Sequence, residues 1–539
     1  MFSATQDPRQ REYLAAVSVI WHSGHVDGPN SALNSDESVC TIRSPKGEEK
    51  ASLLLDFGRE IHGGLRFDIP NISSGQPARV RVRFGESISE AMSAPSNDHA
   101  IHDSEILVSW MGRTEFGETG FRYARIDLLQ EDVEVTVRQI CAVLIYRPLE
   151  YKGSFESNDL RLNSLWKMGA YTVHLCMQDH VWDGIKRDRL VWIGDLHPEA
   201  MVISSVFGAH SIVTETMDIQ KLRNPLPQWM NGISSYSLWW IIIQRDWYLY
   251  HGDMAYLTSQ RHYLLGLIDQ LANFIDVDGC EKLDGFRFLE WPTSDDPSAI
   301  DAGLQALAVI ALRAASELCV AIEENETAVR ANNLAEKASK FVRPDSESKQ
   351  ANALKVLAGM ADPDNINCSV LSQDPNNGLS TFYGYYILQA RAQAGDFQGC
   401  LDLIRTYWGG MMDMGATTFW EGFEMSWMEN ACRIDQFPQP GLGDVHADNG
   451  GWCYQGLRHS LCHGWAAGPT AWLSEHVLGV APASPGFKTV RIQPHLGDLQ
   501  WVRGTVPTPH GVIEVTHVKT KEGHIDSRVT LPGGVELVD

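Results

Sequence analysis

The chain has 539 residues, 21% of them charged and 44% hydrophobic. That is the composition of a globular protein and excludes a mostly disordered one. A net charge of −24 argues against nucleic acid as partner, whose affinity rests on Lys/Arg–phosphate contacts, and against an anionic membrane surface.

Such a length makes roughly three to four domains, or one large domain with accessories, and buries a core without metal or disulfide staples. Residues 1–156 read as β. Short apolar runs at 51–56, 64–69, 78–84 and 133–138 are separated by turn signals, and Val80 to Phe84 alternates with a period of two. Several such strands predict an N-terminal antiparallel β-sandwich. From 157 to 478 the period becomes helical, with helices expected over 158–181, 200–219, 238–250, 258–275, 301–322, 328–343, 380–394 and 397–408. Helices in pairs without intervening strands predict an α/α toroid. After the Pro/Gly-rich stretch Gly479 to Pro485, short strands return over 490–493, 512–516 and 527–531, so 479–539 is expected as a small C-terminal β-sandwich.

No stretch reads as a transmembrane helix; the apolar run Leu238 to Ile243 is far too short. The start, Met1 to Arg11, is polar and lacks the apolar core of a signal peptide. Ten cysteines are scattered without CxxC pairs, as in reduced intracellular proteins. A cytoplasmic location is therefore expected, with export left open.

No P-loop, GxGxxG, GxSxG or HExxH pattern occurs, so nucleotide and serine-hydrolase chemistry lose their sequence support. His459 and His463 stand four apart, a spacing that suits metal on a helix, but no third ligand is evident. Neither a metal nor an organic cofactor is expected.

One segment stands out. Residues 182–199 interleave Asp183, Asp188 and Asp195 with Lys186, Arg187 and Arg189, between Trp182 and Trp192, and Gly184 and Gly194 let backbone approach closely. Further clusters join Trp to a carboxylate or His: Glu290-Trp291, Trp420-Glu421, and His459 to Trp465. Aromatic platforms beside carboxylates suit a carbohydrate ligand.

The segment Asp183 to Asp195 resembles the signature of α-L-rhamnosidases of glycoside hydrolase family 78, in which an opening Asp, an Arg-acid-Arg and a closing Trp-x-Gly-Asp follow in order. Thr417-Thr418-Phe419-Trp420-Glu421 resembles that family's Thr-Thr-x-Trp-Glu element. Ser460-Leu461-Cys462-His463 resembles its later Ser-x-x-His element, and the tail from Gly486 to Pro509 resembles its C-terminal β-sandwich. The likeness covers about residues 150–515.

The resemblance implies a central (α/α)6 barrel flanked by the two β-sandwiches, and hydrolysis of terminal α-L-rhamnose with inversion. By position Asp188 matches the general acid and Glu421 the general base. Asp183, Arg187, Asp195 and His463 match residues that hold the sugar hydroxyls, and Trp192, Trp240, Trp291 and Trp420 would line the pocket. The partner implied is a rhamnose-terminated glycoside or oligosaccharide. The family carries Glu where this sequence has Asp188, which leaves Glu199 and Glu290 as fallback acids. The cluster Lys186, Arg187 and Arg189 suggests an anionic aglycone such as glucuronate. Rival readings are another toroid glycosidase or a polysaccharide lyase, and a carbohydrate-binding protein without catalysis.

Overall fold

In a computed structural model of the protein, which describes residues 7–33, 38–94, 102–344, 346–452 and 454–538, the alternation in Ala78–Gly85 resolves into two faces. Val80 and Val82 are buried, whereas Arg81 pairs with Glu105 at 2.6 Å on the outer face. The strand lies in a seven-stranded antiparallel sheet ordered Gln10–Ala15, Gln139–Tyr146, Ser52–Ile69, Gly112–Leu128, Ala78–Gly85, Asp103–Val108, with Ser18–Ser23 pairing along Ser52–Ile69. The two runs expected at 51–56 and 64–69 are one 18-residue strand, whose register with Gly112–Leu128 shifts between Asp56 and Ile61. Such an irregularity bends a strand without ending it. A four-stranded sheet, His25–Asp27, Cys40–Arg43, Glu134–Val137 and Asn71–Ile72, shares one apolar core with the larger sheet.

Helices follow. Ile193–Val206, Ser234–His251, Pro297–Ala321, Lys349–Leu357, Gly384–Gln393 and Gly468–Trp472 pack each on the next, and the last returns to the first. This closed ring is the helical core, and a single apolar cluster runs through it into the C-terminal sheets. The helix expected over 200–219 is two, Ile193–Val206 and Ser211–Arg223. They part at Gly208, whose φ of +81° is the left-handed turn that glycine tolerates best.

Pro297–Ala321 corrects one expectation. At 25 residues it is long and apolar enough to cross a bilayer, a property that Leu238 to Ile243 alone did not reveal. In the fold it is a core helix, mostly buried against Ser234–His251, Asn325–Ser339 and Lys349–Leu357.

At the C-terminus Trp501–Thr508, Gly511–Lys519 and Ile525–Thr530 form a sheet whose fourth strand is Ser154–Ser157. That strand pairs with Trp501–Thr508, Ser154 facing Thr505. Val480–Pro482, Thr489–Ile492 and Glu536–Val538 make a second, three-stranded sheet.

The N-terminal region is clamped to the helical core near residues 183–190. The Ile88 N–H donates to the Ile434 carbonyl (2.9 Å), the Leu461 N–H to Glu86 (2.7 Å), and Ser87 bonds His446 (2.7 Å).

Candidate active site

The segment from Asp183 to Leu190 closes on itself. The Asp183 N–H donates to the Leu190 carbonyl at 3.0 Å, and the Leu190 N–H to Asp183 Oδ1 at 2.9 Å. At the tip Asp188 and Arg189 are left-handed, with φ of 52° and 53°. Such backbone is costly for non-glycine residues and concentrates at functional sites. A Cβ on Gly184 would stand 3.0 Å from the Cys462 carbonyl, and one on Gly194 would stand 2.4 Å from the Tyr236 ring. These are the close approaches that the two glycines permit.

Arg187 is the hub. Its Nη1 lies 3.3 Å from Asp188 Oδ1, its Nη2 donates to both carboxylate oxygens of Glu421, and its Nε donates to the Arg458 carbonyl at 3.0 Å. The two carboxylates expected to do the chemistry therefore stand on either side of one planar guanidinium. Glu421 is fixed from behind as well. Its carbonyl accepts from Thr381 Oγ1 (2.5 Å) and Trp465 Nε1 (2.8 Å), and its N–H donates to the Ser460 carbonyl (3.0 Å).

Deeper in, Asp195 occupies the first turn of Ile193–Val206, where the helix end favours negative charge. It accepts from His463 Nε2 (3.1 Å) and from the Tyr236 hydroxyl (3.4 Å). A cavity of about 230 Å³ joins these groups: Asp183, Arg187, Asp188, Trp192, Asp195, Trp291, Glu421 and His463 all line it.

Charge in the floor is tightly managed. Burial pushes the Asp183 carboxyl well above its usual range, with the Asp195 carboxylate adding to the effect and His463 opposing it. Burial raises Asp195 too, against its bond from His463. Burial alone would lower His463, but Glu421, Asp195 and Asp183 outweigh it and hold that imidazole above its ordinary value. The floor thus keeps protons that can be donated to hydroxyl oxygens, while its carboxylate oxygens accept.

Two expected pocket residues lie elsewhere. Trp240 is fully buried and its ring meets Tyr263 of the outer helix Met254–Ala272 at 5.0 Å. Four residues on from Tyr236, Trp240 is turned by only about 40° but stands about 6 Å further along the helix axis, and it does not line the cavity that Tyr236 lines. Trp420 is fully buried between Phe423 and His459, turned from the cavity that its neighbour Glu421 faces.

Neither Glu199 nor Glu290 takes the place of Asp188. Glu199 is buried behind Gly464 and lines no part of this cavity. Glu290 is buried beside Ser380 and lines an adjoining cavity. His459 and His463 are not on one helical face, since the segment 459–463 is not helical. His459 Nε2 instead accepts from the Gly422 N–H at 2.8 Å.

Lys186 corrects the reading of a single cationic patch. It is buried, with its ammonium 3.0 Å from Glu86 and 3.3 Å from Glu90, and it donates to the carbonyls of Leu457 (2.9 Å) and His459 (2.6 Å). Glu86, Glu90 and His446 present ligand atoms within 4.8 Å of one another. Lys186 supplies the positive charge there.

Sequence reasoning missed Asn231, Tyr236, Phe286, Phe288 and Trp465 as lining residues. Asn231-Gly232 was a turn signal, and Trp465 stood in the cluster around His463. Tyr236 sits in an apolar helix and reads as core.

Two stretches of the chain match known family models. Residues 150–349 match the bacterial alpha-L-rhamnosidase six-hairpin glycosidase domain, and residues 479–538 match the bacterial alpha-L-rhamnosidase C-terminal domain. An alpha-L-rhamnosidase of Alteromonas sp. (strain LOR) is 24% identical over 546 residues, spanning 91% of this chain and 56% of that protein. The chain thus spans about half the length of the curated relative it matches. The fold resembles that of the GH78 family rhamnosidase of Bacillus sp. GL1 (TM-score 0.76, 23% identity, 94% of this chain and 56% of the other). It also resembles the rhamnosidase of Klebsiella oxytoca with rhamnose bound (TM-score 0.70, 19% identity, 87% of this chain and 96% of the other).

Proposed function

The chain belongs to the bacterial α-L-rhamnosidases of glycoside hydrolase family 78, and from that premise we propose that it hydrolyses terminal α-L-rhamnosides with inversion. The observation that carries this reading is the guanidinium of Arg187 standing between Asp188 and Glu421 at the cavity. An inverting pair needs one carboxyl to protonate the leaving oxygen and one to activate a water on the opposite face, about 6.5–9.5 Å apart. Asp188 and Glu421, on either side of one Arg at one cavity, offer such a pair. The six-membered ring of helices supports an (α/α)6 barrel between two β-sandwich regions.

Asp188 is the general acid in this reading: it is the partly exposed member of the pair, at the loop tip where a leaving group departs. Glu421 is the general base, held by Arg187 and the Ser460 N–H (3.3 Å). Asp183, Asp195 and His463 hold the sugar hydroxyls, and Trp192 and Trp291 cover its apolar edges. An anionic aglycone would meet Arg189 rather than Lys186, which is buried in its own carboxylate pair.

The test is proton NMR at early times with rhamnose-terminated substrates. The first sugar to appear is expected to be β-L-rhamnose. Initial α-L-rhamnose would make one carboxylate a nucleophile, and no rhamnose from any substrate would refute the activity.

A pH profile tests the floor. Asp195→Asn removes one of the negative charges that hold the His463 proton, so His463 should lose that proton at lower pH. The alkaline limb of kcat/KM is expected to move toward neutrality. An unmoved limb would assign it to another group.

A further inference from the structure

Along Ser234–His251 the residues Tyr236, Trp239, Ile242, Asp246 and Leu249 recur every three or four positions, the spacing of one helix face. Tyr236 lines the catalytic cavity. The other four line a second cavity, of about 420 Å³, that shares no lining residue with the first. Asp246 stands about 15 Å further along the helix axis than Tyr236. The last turns of Lys349–Leu357 and Gly384–Gln393 line the second cavity too, so it opens at the far mouth of the helical ring. Part of its rim comes from the C-terminal sheet, where Ala481 pairs with Arg491.

Three rings pack together in its wall. His197 stacks on Trp239 (centroids 5.0 Å apart) and Trp239 on Tyr386 (4.7 Å). His197 is engaged at both nitrogens, Nδ1 with the Tyr386 hydroxyl (2.8 Å) and Nε2 with Asp246 (2.9 Å). The second oxygen of Asp246 lies 2.6 Å from Arg245 Nε. These groups satisfy one another and fix the wall. The rim is different. Arg491 is exposed and makes no ion pair among the described residues. Glu475 is engaged through Oε2, by Gln389 at 2.8 Å and His476 at 3.8 Å. Ile310, Leu354 and Leu357 add an aliphatic surface.

We propose that this far cavity is a second, non-catalytic sugar site, and that it takes a neutral deoxyhexose such as rhamnose. Two guanidiniums and two carboxylates line it, so its formal charge sums to zero and favours a neutral ligand over an ion. A hydroxyl both donates and accepts, and so can answer Glu475 and Arg491 in turn. The C-terminal ends of the ring helices favour hydrogen-bond donors over anions. The aliphatic surface suits the methyl group of a deoxy sugar. The volume exceeds the roughly 230 Å³ of the catalytic cavity. The site is independent of the catalytic pair and goes beyond the hydrolytic reading.

The test is calorimetric titration of the full chain with L-rhamnose. Two molecules per chain are expected to bind. Asp195→Asn with His463→Ala disables the catalytic cavity and should leave one. In that background Arg491→Ala is expected to weaken the remaining binding about tenfold, the loss of one hydrogen bond from a charged group. Arg491→Ala alone should leave kcat/KM on an aryl α-L-rhamnoside unchanged. Ile310→Trp, which narrows the cavity from its aliphatic side, should remove the same binding event. One molecule per chain in the wild type would overturn the proposal, as would a second event that survives both Arg491→Ala and Ile310→Trp. Tighter binding of benzoate than of rhamnose at this site would overturn the neutral sugar in favour of an aromatic anion. A chain that binds two rhamnose molecules and cleaves no rhamnoside would sink the hydrolytic reading and uphold this site.

Discussion

Glu421→Gln is expected to lower rhamnose release by about 10²–10⁴-fold, the range for loss of a positioned general base, with kcat falling and KM little changed. The isosteric amide keeps the backbone bonds from Thr381 and Trp465 and the one to Ser460 but cannot take a proton from water. Asp188→Asn should behave differently. An acid matters most when the leaving group is poor, so its loss should be large on a sugar aglycone and small on a nitrophenyl glycoside. Steady-state kinetics on both substrates distinguishes the two roles. A Glu421→Gln enzyme within tenfold of wild type would move the base to another carboxyl of the cavity, with Asp183 the next to test.

Lys186→Met should damage both stability and activity although Lys186 touches no part of the cavity. Removing one partner of a buried ion pair costs about 3–5 kcal/mol, and here the ammonium serves Glu86 and Glu90 together. Burial already raises both carboxyls, Glu90 to about 8, and Lys186 is the charge that opposes it. The same side chain ties the loop bearing Arg187 and Asp188 to the carbonyls of Leu457 and His459. Combining Lys186→Met with Glu86→Gln and Glu90→Gln removes the charges together, which is often nearly neutral. The triple variant is expected to regain most of the thermal stability and little of the kcat. Recovery of both would make the lysine a purely structural group.

The order β, helical, β was legible because periodicity is local. Alternation at Val80 to Phe84 and the recurring helical spacing after Asn158 each report on their own neighbourhood. The partner of Ser154–Ser157 was not legible, since it lies some 350 residues away and nothing in a four-residue strand names it. In the site, Asp183, Arg187, Asp188, Trp192 and Asp195 were legible because one segment carries them. Tyr236, Phe286 and Phe288 were not, because an aromatic residue in an apolar run does not say which way it points. Trp240 and Trp420 failed for the same reason. Lys186 and Arg187 show the limit most clearly. Adjacent in sequence, one is buried against Glu86 and Glu90 and the other lines the cavity, so a run of cations in the chain is not a patch of cations in space.

The clamp between the N-terminal region and the helical core has a consequence for how the molecule is made. Glu86 receives the Leu461 N–H across 375 residues, and Ser87 meets His446 across 359. The early strands possess their own apolar core and can form while the rest is still being translated. Lys186 reaches Glu86 early, but the Leu461 N–H must wait for 375 more residues, about 20–75 s at 5–20 residues per second. Such long-range closures come late in folding. The loop that carries Arg187 and Asp188 acquires its final shape only when residues near 460 dock. Every half-made or truncated chain that stops short of that point therefore lacks the formed candidate site.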